Sequence, residues 1–273
     1  MKIGVFDSGY GGLTVLKELV KSLPQYDYLY LGDNARAPYG SRTFETVYQY
    51  TLDCVKKLFK RDCQLVILAC NTASAKALRT IQQHDLPLIA PQNKVLGVIR
   101  PTAERIGAYT QTRHIGILGT SGTVNSQSYL LEIRKFFPDI QVFQEACPMW
   151  VPLIENNEID NEGTAFFIRR HIMHLLAQSP QIDAIILGCT HYPLLMKQIQ
   201  RYLPKHIELL AQGEIIAESL KNYLILHPEI EENCSKNGSL EFLTTGGAEI
   251  FSADAKLFFG QEIVAKHLSI RNG

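Results

Sequence analysis

The chain has 273 residues, and its 27 basic and 27 acidic side chains cancel. That length suffices for one large domain or two modest ones with real cores, and the scattered, balanced charge excludes an electrostatic footprint for nucleic acid or an anionic membrane. No segment approaches the roughly 18 apolar residues of a membrane helix, and the N-terminus lacks a signal-peptide pattern, so a cytoplasmic protein is expected.

In chain order, short apolar runs predict buried strands at 3–6, 28–31, 65–69, 88–90, 115–118, 184–187 and 206–210. Between the first two, Leu13, Leu16, Val20 and Leu23 outline a helix closed by Pro24. From Ser41 onward, Phe44, Val47, Tyr48, Thr51, Cys54, Val55 and Leu58 trace one face of a second helix, which makes Cys54 a core residue. Regular strand–helix alternation implies an α/β fold with mostly parallel sheets, helices on both faces and ligands at the C-terminal strand ends. Cysteines at 54, 63, 70, 147, 189 and 234 include no Cys-x-x-Cys pair, against a disulfide framework or a zinc ribbon. Most need be only small buried hydrophobes.

An internal repeat carries more information. Ile3-Gly4-Val5-Phe6-Asp7-Ser8-Gly9 resembles Ile115-Gly116-Ile117-Leu118-Gly119-Thr120-Ser121-Gly122. Later in each half, Leu65-Val66-Ile67-Leu68-Ala69-Cys70-Asn71-Thr72 resembles Ala184-Ile185-Ile186-Leu187-Gly188-Cys189-Thr190-His191. Two similar pairs in the same order suggest a duplicated α/β unit, with one cleft between the copies and one cysteine from each.

Each cysteine stands just past a buried strand. Asn71 and Thr72 can cap the helix that follows Cys70, and a helix N-terminus favours a thiolate; the plain alternative is an inert buried cysteine. His191, two residues after Cys189, could polarise that thiol, or could simply bond a loop carbonyl. A Cys189–His191 dyad for hydrolysis would leave Cys70 without a role. Two thiols on one cleft suit a racemase, which removes a proton from one face of a carbon and returns one to the other. The carbanion that develops needs desolvation and fixed donors, and no lysine has a context that marks it for a Schiff base. The loop Asp7-Ser8-Gly9-Tyr10-Gly11-Gly12 offers backbone N–H groups to a carboxylate, as does Gly119-Thr120-Ser121-Gly122-Thr123. Neither matches a dinucleotide or Walker pattern. Asp7 reads as a proton partner to a thiol, as a partner to a substrate ammonium, or as a helix cap.

At these residues the chain resembles the glutamate racemase family of the aspartate/glutamate racemase superfamily. The matching stretches are FDSGYGGLTVL at 6–16, GDNARAPYG at 32–40, ILACNTASA at 67–75, GILGTSGTV at 116–124, ACPMWVPLIE at 146–155 and LGCTHYPLL at 187–195. The resemblance implies that Cys70 and Cys189 are the acid/bases, the first for the D-glutamate proton and the second for the L-glutamate proton. It makes Asp7 and His191 their supporting partners, with Glu155 an auxiliary acid near His191. Substrate contacts would fall to Asp7, Ser8, Tyr39, Gly40, Asn71, Thr72, Thr120, Thr123, Thr190 and His191. It also implies no cofactor or metal, a homodimer, and two pseudo-symmetric α/β domains. The C-terminal segment would return to the first, giving residues 1–95 plus 211–273 and residues 96–210. The family's product, D-glutamate, feeds bacterial peptidoglycan synthesis. One stretch departs from the family: Ala211-Gln212-Gly213-Glu214 stands where many members carry an Asp-Ser-Gly-like segment, followed by an acidic, polar insertion around 227–237. Two other readings are a racemase or isomerase of the same fold acting on aspartate or another small acid, and a non-catalytic acidic-ligand binding protein.

Overall fold

A computed structural model describes residues 1–270. Its strands in chain order are β1 (Ile3–Asp7), β2 (Tyr28–Gly32), β3 (Leu65–Leu68), β4 (Lys94–Gly97), β5 (His114–Gly119), β6 (Gln141–Ala146), β7 (Ala184–Gly188), β8 (Glu208–Leu210), β9 (Leu240–Thr244) and β10 (Ala265–His267). They form a six-stranded sheet ordered β10-β9-β2-β1-β3-β4 and a four-stranded sheet ordered β6-β5-β7-β8. Every pairing is parallel. The α/β class with mostly parallel sheets is therefore the observed one.

The central strands are buried along their whole length in β1, β2, β3 and β7. Alternate side chains enter different cores, as the two-residue period of a strand requires. Leu65 and Ile67 join Ile3 and Val5 on one face, whereas Val66 and Leu68 join Phe6 on the other. In the second sheet Ile115, Ile117 and Ile186 share a core, while Leu118, Ile185 and Leu187 point into the larger one. The helix expected from Ser41 spans Phe44–Phe59, started by Thr43, whose side chain accepts from the Thr46 N–H. Its buried face includes Val47, Thr51, Cys54, Val55 and Leu58.

The strand expected at 88–90 is not there. Those residues lie in and just after a short helix, Leu86–Ile89, with proline in its first turn and Leu88 85 % exposed. Proline's fixed φ suits the start of a helix and its missing N–H breaks a ladder. The edge of the first sheet is instead β4, registered Leu65↔Lys94 through Leu68↔Gly97.

The strands of the sequence repeat are adjacent interior pairs of each sheet, β1 with β3 and β5 with β7. In each sheet the chain goes from β1 or β5 to the neighbour on one side and then crosses back to the neighbour on the other. Crevices open at such switch points, beyond the C-terminal strand ends. Both crevices carry a cysteine: Cys70 beyond β3, and Cys189 directly after β7. The chain passes between the sheets twice, after β4 and after β8, and its last two strands complete the first sheet. The 227–237 insertion, which contains a helical turn at Pro228–Glu231, is fastened near the N-terminus. Asp27 there accepts from the Asn237 side chain at 2.7 Å and the Ser239 N–H at 2.8 Å. Among the described residues, no helix is long and apolar enough to cross a membrane.

Candidate active site

Cys70 occupies the N-cap of the helix Asn71–Lys76, and its sulfur accepts from the Ala73 N–H at 3.4 Å. The thiol itself donates to Ser8 Oγ at 3.4 Å, a residue just past β1. The helix end was expected to favour a thiolate. Burial outweighs it, pushing the Cys70 thiol up to about 12, reinforced by the nearby Asp7 carboxylate and opposed by Ser8 and the Ala73 N–H. Its surroundings therefore favour the neutral thiol over the thiolate.

Cys189 has different company. Its sulfur lies 3.9 Å from His191 Nδ1, and His191 Nε2 lies 2.9 Å from Glu155 Oε1. Glu155 is the last residue of the helix Trp150–Glu155. Burial alone would lower the His191 pKa, but its bonds to Cys189 and Glu155 prevail and hold it up to about 10. As an imidazolium, His191 donates to both partners. The sulfur, the ring and the carboxylate form one relay from the cavity to the protein's edge.

Asp7 is fully buried, and burial first of all raises its pKa, against the pull of His191 and of the Gly9 and Gly12 N–H groups. Its oxygens accept from the Gly9 N–H at 2.9 Å and from Thr190 Oγ1 at 3.4 Å, so Asp7 fastens the loop after β1 to the residue after Cys189.

A cavity of about 170 Å³ brings together Ser8, Tyr39, Gly40, Cys70, Asn71, Thr72, Thr120, Glu155, Cys189, Thr190 and His191. Asp7 and Thr123 stand behind its wall and act on it through Thr190 and Thr120. The threonines clasp the two halves: Thr72 Oγ1 is 2.9 Å from Thr120 Oγ1, which is 3.1 Å from Thr123 Oγ1. Tyr39 is not free to meet a ligand through its hydroxyl, which donates to Asp33. Gly40 is a close-approach position, since a Cβ there would stand 3.0 Å from Thr120 Cβ. Its carbonyl accepts from the Gly122 N–H at 2.8 Å.

Asn71 is held from behind. Its Nδ2 donates to Gln212 Oε1 at 2.7 Å, and its Oδ1 accepts from Tyr129 at 2.6 Å. Gln212 Nε2 in turn reaches Tyr129 at 2.7 Å, Thr102 Oγ1 at 2.8 Å and the Val98 carbonyl at 3.2 Å. Gln212, within the stretch that departs from the family pattern, thus belongs to a buried network behind the cavity.

Sequence reasoning gave no role to Ala37, Pro38, Ser41, Cys147, Pro148, Val151 and Pro152, which also line the cavity, and named Ser121 only within its loop. Ser41 and Ser121 adjoin residues that were singled out, whereas nothing local marks the apolar wall. Cys147 is placed by its N–H, bonded to the Gly119 carbonyl at 2.8 Å, and its own carbonyl accepts from Tyr192 at 3.0 Å. The lining holds hydroxyls, the thiols of Cys70, Cys147 and Cys189 and an imidazole, and no lysine. Pro38, Pro148, Val151 and Pro152 add apolar surface beside these polar groups.

Two parallel α/β sheets with a small polar cavity lined by Cys70 and Cys189, each just past a strand end, define the class as an α/β protein with two thiols on one site. The family model described as Asp/Glu/Hydantoin racemase matches residues 3–220. A glutamate racemase of Geobacter metallireducens is 43 % identical over 234 residues, covering 84 % of each chain. Among solved structures, a Bacillus anthracis glutamate racemase superposes with a TM-score of 0.88 at 31 % identity, covering 98 % of this chain and 97 % of the other. A Francisella tularensis glutamate racemase in complex with D-glutamate superposes with a TM-score of 0.87 at 29 % identity, with 98 % and 97 % covered. The chain belongs to the Asp/Glu/hydantoin racemase family of isomerases.

Proposed function

We propose that this enzyme interconverts L- and D-glutamate without a cofactor, with Cys70 and Cys189 as the two acid/base groups. The observation that carries this reading is the joint placement of both thiols on one small cavity, each with its own proton partner. D-glutamate gives its Cα proton to the Cys70 thiolate while the Cys189 thiol delivers one to the opposite face; L-glutamate runs the reverse. The substrate ammonium supplies the positive charge that the buried Cys70 lacks, and Asp7 takes part in the proton balance on that side. His191, steadied by Glu155, matches the charge on Cys189. Ser8, Asn71, Thr72, Thr120 and Thr190 hold the substrate's carboxylates and the developing carbanion, with Tyr39, Gly40 and Thr123 shaping the wall. The D-glutamate held by the Francisella relative supports the choice of substrate.

In this reading residues 1–95 with 211–273 make one lobe and residues 96–210 the other. The protein works as a cytoplasmic homodimer, and its D-glutamate serves peptidoglycan synthesis. Incubation with either enantiomer in heavy water should place solvent deuterium at Cα of the product. Absence of exchange from both enantiomers defeats the proposal. Cys70→Ser and Cys189→Ser should each abolish turnover; full activity in either rules out two bases. Glutamate binding by calorimetry without exchange would mark a binding protein, and faster turnover of aspartate would move the substrate.

A further inference from the structure

A second cluster of chemistry-bearing side chains lies on the outer edge of the four-stranded sheet. His171 and His174 stand three residues apart on the helix Glu162–Gln178 and so share a face. Glu145 is the next-to-last residue of β6, the edge strand beneath them. One carboxylate oxygen receives both rings: Glu145 Oε1 is 2.7 Å from His171 Nδ1 and 3.3 Å from His174 Nδ1. One ligand atom from each of the three residues lies within 4.8 Å of the others.

We propose that Glu145, His171 and His174 form a binding site for a borderline divalent cation, of which Zn²⁺ is the model. Four-coordinate zinc takes nitrogen and oxygen at about 2.0–2.2 Å, which sets neighbouring ligand atoms roughly 3.3–3.5 Å apart. The Glu145–His174 separation of 3.3 Å already matches that spacing, and the other pairs lie within 4.8 Å. Two imidazoles and one carboxylate suit zinc, nickel or cobalt, whereas magnesium and calcium prefer all-oxygen sets. The inner ligands are fixed in advance. His171 is buried, stacked on Phe167 at 6.4 Å and set edge-on to Trp150 at 6.0 Å. The His174 side chain is 54 % exposed, so the fourth coordination position faces solvent and would hold water. An ordinary salt link would need one histidine; here two converge on a single oxygen.

The cation would tie the helix Glu162–Gln178 to β6 two residues before Cys147, a wall of the cavity, and beside Trp150, which opens the helix carrying Glu155. Its part is that of a strut, separate from the proton-transfer residues.

The test is zinc titration of the metal-stripped full chain by calorimetry, in the Cys70→Ser/Cys189→Ser background so that those two thiols do not compete. One zinc should bind, and His174→Ala and Glu145→Gln should each weaken it. Loss of an outer-shell partner costs about 10–100-fold in metal affinity, and loss of a ligand costs no less. Cobalt in place of zinc should give visible bands without a sulfur-to-cobalt charge-transfer band. The exposed His174 makes His174→Ala a mild change, and circular dichroism confirms its fold. Absence of zinc binding, binding unchanged by both variants, or a sulfur charge-transfer band overturns the site.

Discussion

Replacing Gln212 by leucine probes the network that steadies the cavity from behind. The substitution keeps the volume and removes four hydrogen bonds, to Asn71 Nδ2, Tyr129, Thr102 Oγ1 and the Val98 carbonyl. Three of these groups keep another partner: Tyr129 still donates to Asn71 Oδ1, and Thr102 still donates to Val98. Asn71 Nδ2 alone is left buried without one. An orphaned buried donor costs about 1–3 kcal/mol, and a bond lost between groups that keep other partners about 0.5 kcal/mol or somewhat more. The sum is about 2.5–4.5 kcal/mol, read as a fall in the urea midpoint at constant slope. Because Asn71 lines the cavity beside Cys70, KM for glutamate should rise along with it. Gln212→Glu should be worse, since its second oxygen would face the Val98 carbonyl. A Gln212→Leu protein within about 0.5 kcal/mol of the parent, with an unchanged KM, would refute the reasoning.

Other outcomes follow from the same geometry. Asp27 is buried, which raises its pKa, but its bonds to Ser235, Ser239 and Asn237 prevail and hold it below the ordinary 3.8. Its stabilisation is thus present above pH 3.8 and lost as pH falls below it; denaturation across pH 2–5 should show this, and Asp27→Asn should flatten the curve. His191 is raised from 6.5 to about 10, so its contribution is complete below pH 6.5 and lost as pH rises through about 10. Glu155→Gln should therefore destabilise the protein at neutral pH, with the difference from the parent shrinking in urea titrations above pH 10. Gly11→Ala should impair turnover more than folding, because its Cβ would stand 2.2 Å from Thr190 Oγ1 and 2.4 Å from His191 Nδ1. Parent-like kcat/KM in that variant would show that the loop yields freely.

The inner strands were legible because both their faces are covered. Ile3-Gly4-Val5-Phe6 and Leu65-Val66-Ile67-Leu68 are unbroken apolar runs, as strands buried on both sides must be. β6, at an edge, reads Gln-Val-Phe-Gln-Glu-Ala and half faces solvent, so it carries no such signal. β9 and β10, with their interspersed charges, escaped for a similar reason. Leu86-Pro87-Leu88-Ile89-Ala90 sent a false one, since exposed apolar residues and strand residues look alike in sequence. Around the cavity, residues that follow strand ends could be found because a repeated strand marked their positions. The wall built by Cys147, Pro148, Val151 and Pro152 could not, because only tertiary contacts bring it there. Burial also reversed a local inference at Cys70, where the helix end is outweighed by loss of water.

The pairing of β2 with β9, from Tyr28↔Leu240 to Gly32↔Thr244, also sets an order of assembly. The four-stranded sheet draws all its strands from residues 114–210, so a ribosome delivers it whole before residue 240 is made. Meanwhile Tyr28-Leu29-Tyr30-Leu31-Gly32 presents an open edge. At about 5–20 residues per second the wait lasts roughly 10–40 s. An unpaired apolar strand is a template for neighbouring chains, so nascent molecules on one message are most exposed to co-aggregation there. Any truncation ahead of residue 240 makes that exposure permanent.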